Sequence, residues 1–217
     1  MDPNQFDYHG TILTRFDHMY NSTQFSERGV EIAVADHFLQ ENTTSRSKVL
    51  DVGNVLYHYD RTPTMHFDPP LEFPKRRVVD LYEVAQDVEN IDLFDIEGEF
   101  DVIVAISTLE HVGQDYGEAH NLQASQDAVD YLRSLLKPKG KMLVTIPVGQ
   151  HPTLKPETLG ADREVFYART TPPTRWVSTW AVYPVIEPGR RPLRQYPAYG
   201  KATPWASCVW VGEFFGN

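Results

Sequence analysis

Two aspartates beside the ends of short apolar runs are the first residues in this chain with chemistry to offer. Lys48-Val49-Leu50-Asp51-Val52 leads into Gly53, and Arg77-Val78-Val79 leads into Asp80. A strand that ends in acid-x-glycine delivers the backbone into a tight turn at the carboxyl edge of a sheet, the crevice in which open α/β sheets bind ligands. Glycine has no side chain there to hold a ligand off the backbone. An acid at the end of the next strand is placed to accept hydrogen bonds from both hydroxyls of a ribose; alternatively, both acids simply end strands and cap turns. Gly53-Asn54-Val55-Leu56-Tyr57 has one glycine, whereas a dinucleotide needs G-x-G-x-x-G to bring backbone N–H groups to its pyrophosphate. A ligand with a ribose and no phosphate fits better.

Other residues invite chemistry on their type alone. Glu110-His111 follows a long apolar run, and histidine is the side chain best matched to proton transfer near neutral pH. A structural hydrogen bond is the alternative role for this pair. His58-x-Asp60 and His66-x-Asp68 offer divalent-metal donors, but their spacing fits no helical ligand pair and no metal is expected. Tyr57 and His58 are candidates for the walls of a reaction pocket. Trp176, Trp180, Trp205 and Trp210 line either an aromatic pocket or the core. Arg190, Arg191, Arg194 and Lys201 gather positive charge on a proline-rich stretch, to attract an anion or to solvate a loop.

The elements that must position these residues alternate along the chain. Residues 25–40 predict an amphipathic helix, with Val30, Val34 and Phe38 on one stripe and Ile32, Ala35 and Leu39 beside it. Continuous apolar character over so few residues, at 48–52 and 77–80, suits strands buried on both faces of a parallel sheet. Phe100–Ser107 and Lys141–Pro147 predict two more. Residues 123–136 predict a second helix, stopped by Lys137-Pro138-Lys139-Gly140. Strands alternating with helices argue for an α/β fold. Beyond residue 150, Arg175–Val185 and Ser207–Phe215 predict late strands joined by a long irregular loop.

In this order and spacing the segments resemble the class I methyltransferases that use S-adenosylmethionine (SAM). Val49-Leu50-Asp51-Val52-Gly53 is similar to the family's first motif, Val78-Val79-Asp80 to the second and Asn90-Ile91-Asp92 to the third. Phe100 through Val112 is similar to the fourth, and Leu132 through Val144 to the helix–turn–strand that follows. Val55 and Tyr57 stand where the family usually has two further glycines. The resemblance implies a three-layer Rossmann-like fold: a mostly parallel seven-stranded sheet with an antiparallel C-terminal strand pair. It implies SAM as cofactor, S-adenosylhomocysteine (SAH) as product and a small molecule as methyl acceptor. Asp51, Gly53, Asn54, Asp80, Leu81, Asp92 and Ser107 would form the cofactor site: Asp80 at the ribose, Asp92 at the adenine, Gly53 and Asn54 toward the methionine. Arg28, on the first helix, would pair with the methionine carboxylate or a substrate acid.

Length and composition fit this class. A chain of 217 residues suits one domain, here a helical cap at 1–47, a cofactor core at 48–148 and a variable part at 149–217. One cysteine, Cys208, excludes an internal disulfide and favours a cytoplasmic setting. A net charge of -10 disfavours phosphate backbones, so no nucleic-acid partner is expected. No apolar run reaches a membrane span. Two alternatives share the fold: intramolecular cyclisation of SAM with release of methylthioadenosine, and a non-catalytic interaction module.

Overall fold

A computed structural model describes residues 2, 4–18, 21, 26–59, 73–113, 121, 123–148, 154–170, 175–179 and 208–217. Strands β1 (Gln5–Tyr8) and β2 (Thr11–Thr14) pair as an antiparallel hairpin. Helix α1 (Arg28–Asn42) follows, then β3 (Val49–Val52), β4 (Arg77–Val79), β5 (Val88–Glu89) and β6 (Phe100–Ile106). Helix α2 (Ala124–Ser134) leads into β7 (Leu136–Pro147), and β8 (Arg163–Thr170), β9 (Arg175–Thr179) and β10 (Cys208–Phe215) complete the chain.

The last eight strands form one sheet in the order β5-β4-β3-β6-β7-β10-β8-β9. The first five run parallel, and β10, β8 and β9 each lie antiparallel to their neighbour. The antiparallel part is therefore three strands rather than a pair. The extra one is β8, whose buried centre, Phe166 to Ala168, is short and follows the exposed charges Asp162, Arg163 and Glu164. The N-terminal 47 residues are not wholly helical either, since the hairpin precedes α1.

Side chains alternate across this sheet with the pleat. Val49, Val102, Val104 and Leu143 face α1, where Val30, Val34 and Phe38 meet them together with Phe6 and Tyr8 of the hairpin. Leu50, Val52, Ile103, Ala105, Met142 and Val144 face α2, with Ala128, Val129 and Leu132. Helix α1 is buried on most of its circumference because sheet and hairpin enclose it. In its last turn Asn42 Nδ2 and Thr43 Oγ1 donate to the carbonyls of Phe38 and Leu39 at 2.7 Å each, and the Thr43 backbone N–H also donates to Leu39, so side chains double the hydrogen bonding at the helix end. Helix α2 stops at Ser134, before the Lys-Pro-Lys-Gly segment. Those four residues bulge out at the head of β7: the pairing jumps from Phe100↔Leu136 to Val102↔Lys141, and Lys139 turns left-handed at φ 66°.

Candidate cofactor and reaction site

Three strand ends meet at the carboxyl edge of the sheet and open a cavity of about 450 Å³. Gly53 follows β3, Asp80 follows β4 and Ser107 follows β6, and all three line it, as do Leu81, Asp92 and His111. Gly53 is forced by its surroundings. Its φ is 98°, and a Cβ there would collide with the Thr108 side chain, whose Oγ1 lies 3.1 Å from the carbonyl oxygen of Val52 and 3.0 Å from that of Ile106. The β3 and β6 ends are thus drawn together across the space a side chain would fill.

The two acids of the cavity hold their own loops. Asp80 Oδ1 accepts from the backbone N–H of Tyr82 at 2.8 Å and of Glu83 at 2.7 Å, while Oδ2 accepts from none of the described residues. Asp80 thus caps its turn through Oδ1 and is also a lining residue of the cavity. Asp92 caps the 3₁₀ turn Leu93–Asp95 by accepting from Phe94 N–H at 2.9 Å. Asn90 fastens the loop between them, donating to the carbonyls of Asp80 and Glu83. Thr108, Phe94, Tyr82 and Ile91 also line the cavity; Ile91 and Thr108 lie within the quoted motifs without a role of their own, and Tyr82 and Phe94 are marked in the sequence only as aromatics two residues after Asp80 and Asp92.

Six other expected site residues are not on the cavity wall. Asp51 is fully buried, and its Oδ2 accepts from Arg76 Nε at 2.8 Å. The period of two explains this: Asp51 shares the α1 face with Val49, whereas the cavity opens on the face of Val52. Asn54 is left-handed at φ 51°, wholly buried, and neither the nitrogen nor the oxygen of its side-chain amide has a hydrogen-bond partner among the described residues. Arg28 Nη1 lies 3.2 Å from Glu31 Oε2 on the same helix. Tyr57 is half-exposed, and His58 Nε2 stands 3.3 Å from Glu83 Oε1. Glu110 is buried under its neighbour: its Oε1 is 3.8 Å from His111 Nε2, and its Oε2 has no hydrogen bond among the described residues. Burial pushes the Glu110 carboxyl up to about 7, against the downward pull of the adjacent His111. Asp60, His66, Asp68, Trp180, Trp205, Arg190, Arg191, Arg194 and Lys201 lie outside the described residues. Trp210 is core, donating from Nε1 to Glu164 at 2.7 Å.

No protein-family model matches the chain, and no curated protein matches its sequence. Solved structures do match. N-methyltransferase NodS from Bradyrhizobium japonicum WM9, crystallised with SAH, superposes with a TM-score of 0.51 at 11% identity, covering 90% of this chain and 89% of that one. The fold is that of a class I methyltransferase. A second similar structure, magnesium protoporphyrin IX methyltransferase (ChlM) from Synechocystis PCC 6803 with bound SAM, gives a TM-score of 0.49 at 11% identity over 93% of this chain and 86% of that one. A 3₁₀ turn, Val55–His58, follows β3, and no α-helix lies between β4 and β6 among the described residues. No described helix is long and apolar enough to cross a membrane.

Proposed function

We infer that this chain is a SAM-dependent methyltransferase acting on a small molecule, and that the cavity at the ends of β3, β4 and β6 holds the cofactor. The observation that carries this most directly is Asp80: a cavity-lining carboxylate at the β4 end with one oxygen fixing its loop and the other uncommitted. That second oxygen suits a ribose diol. Asp92, twelve residues on and capping a turn on the same wall, suits an exocyclic amine of adenine, with Leu81 and Phe94 covering the base.

Asn54 would serve the same cofactor only by turning its buried amide toward the cavity, whose wall it does not form. An amide without partners in the interior costs roughly 1–3 kcal/mol, and the amino-acid end of SAM carries both a donor and an acceptor. Asn54 adjoins Gly53, where only a bare backbone fits. Asp51 would act indirectly, holding Arg76 behind the turn. Arg28 would reach a carboxylate only by loosening its contact with Glu31.

SAM supplies a methyl group on a sulfonium, and alignment of an acceptor with it provides much of the rate. His111, cavity-lining and with its side chain about half exposed, is the residue placed to receive a proton from an acceptor that retains one at neutral pH. Glu110 backs it from inside. Tyr57, half-exposed, and His58, beside Glu83, would have to act from outside the cavity wall. A cytoplasmic enzyme with a small-molecule acceptor fits the acidic, single-cysteine chain.

Equilibrium dialysis with SAM tests the assignment. Asp80→Ala is expected to weaken binding at least about tenfold, the loss of a charge-assisted hydrogen bond or two, in a protein whose circular dichroism is unchanged. Undiminished binding by a folded Asp80→Ala variant would contradict the ribose role. Where turnover occurs, SAH as product supports methyl transfer and methylthioadenosine supports cyclisation.

A further inference from the structure

Glu31 is a carboxylate with no exposed surface, in the first turn of a helix whose other inward residues are almost all apolar. Its Oε1 accepts from Ser107 Oγ at 2.6 Å and from Thr145 Oγ1 at 2.8 Å, and its Oε2 faces Arg28. Ser107 lines the cavity. The Thr145 hydroxyl oxygen, in turn, lies 3.2 Å from the Ser107 backbone nitrogen, so carboxylate, hydroxyls and backbone form one closed network.

The direction of the Ser107 side chain is the informative point. Along β6, Ile103 and Ala105 face α2, and an unbroken strand would send Ser107 the same way. Instead Ser107 has a φ of 46°, a left-handed conformation unfavourable for any residue with a Cβ. That turn swings its hydroxyl to the α1 face, into hydrogen-bond contact with Glu31. The next four residues are Thr108, which packs against Gly53, then Leu109, Glu110 and His111. The backbone conformation at Ser107 therefore sets where both the Gly53 contact and His111 lie.

We propose that Glu31 is a positioning residue for the cofactor site: it holds Ser107 in its left-handed turn and thereby fixes the β6 wall of the cavity. It touches no ligand itself. The role rests on the cavity binding SAM or SAH. A purely structural Glu31 would stabilise the fold without changing the site; a positioning Glu31 changes affinity in protein that is still folded.

The experiment is calorimetric titration with SAH, well below the unfolding temperature, of the unmodified protein and of Glu31→Ala, Glu31→Gln, Ser107→Ala, Thr145→Val and the Glu31→Ala/Ser107→Ala pair. Glu31→Ala should weaken SAH at least tenfold. Glu31→Gln, which keeps an acceptor oxygen for the two hydroxyls, should recover most of that loss. The double variant should bind no more weakly than Glu31→Ala, because the two residues act as a unit. If Glu31→Ala does not fold, Thr145→Val carries the test, since it loosens the network without removing a charge or a cavity-lining atom, and should weaken SAH several-fold. Wild-type affinity in folded Glu31→Ala or in Thr145→Val, or additive losses in the pair, overturns the proposal. Failure of the unmodified protein to bind SAH instead defeats the cofactor assignment beneath it.

Discussion

Glu110 carries the largest consequence at the scale of a single residue. Its carboxyl holds a proton up to about 7 in the folded chain against an ordinary 4.5, because burial penalises the charged form. Between those values the folded state binds more protons than the unfolded one, so this group's contribution to stability falls as pH rises through that window and levels off above it. Glu110→Gln removes the titration. It should leave stability nearly unchanged near about pH 4 and raise it by roughly 3 kcal/mol near about pH 8, measured by urea unfolding at both. An equal effect at the two pH values would contradict a buried, protonated carboxyl. The sequence marks Glu110-His111 by position after an apolar run, but not which of the two reaches the cavity; that follows from a 3₁₀ turn that points His111 outward and tucks Glu110 inward. Glu31 carries no mark at all, since one acid on a helix next to apolar residues reads as a solvent-facing position until the hairpin is seen to cover it.

Elements were legible where their burial is simple. Strands β3, β4, β6 and the inner part of β7 lie in the middle of the sheet and show as unbroken apolar runs, and α2 shows its apolar stripe. The hairpin was missed although its signal exists: His9 and Gly10, both at positive φ, form the two-residue turn that hairpins prefer, between the buried Phe6 and Tyr8 and the opposite strand. Strand β8 was missed because its apolar core is only a few residues long. Strand β10 was legible as β-rich, but its place between β7 and β8 was not, since antiparallel insertion depends on pairing rather than on composition. That placement has a testable cost. Gly212 lies beneath the Trp210 ring on the same face of β10, and a Cβ there would collide with it. Gly212→Ala should therefore destabilise the chain by about 1–3 kcal/mol through overpacking, with an unchanged denaturant slope. A neutral substitution would mean that Trp210 can move aside despite its hydrogen bond to Glu164.

For the molecule as a whole, strand order does what the sequence could only imply. Placing β3 at the centre, flanked by β4 and β6, converts three separated segments into one crevice, with Gly53, Asp80 and Ser107 at three adjacent strand ends. The same crevice gathers Leu81, Asp92 and His111, so half of the expected site residues come together, while Asp51, Asn54, Arg28, Glu110, Tyr57 and His58 lie off its wall. The division follows the pleat: motif residues one position apart on a strand face opposite layers, and spacing alone does not say which layer holds the ligand. The most direct test is isothermal titration of the full chain with SAH. Saturable binding at one site, in the micromolar range or tighter, is the predicted result. A folded protein that takes up neither SAH nor SAM would contradict it, leaving a methyltransferase fold whose crevice serves another ligand.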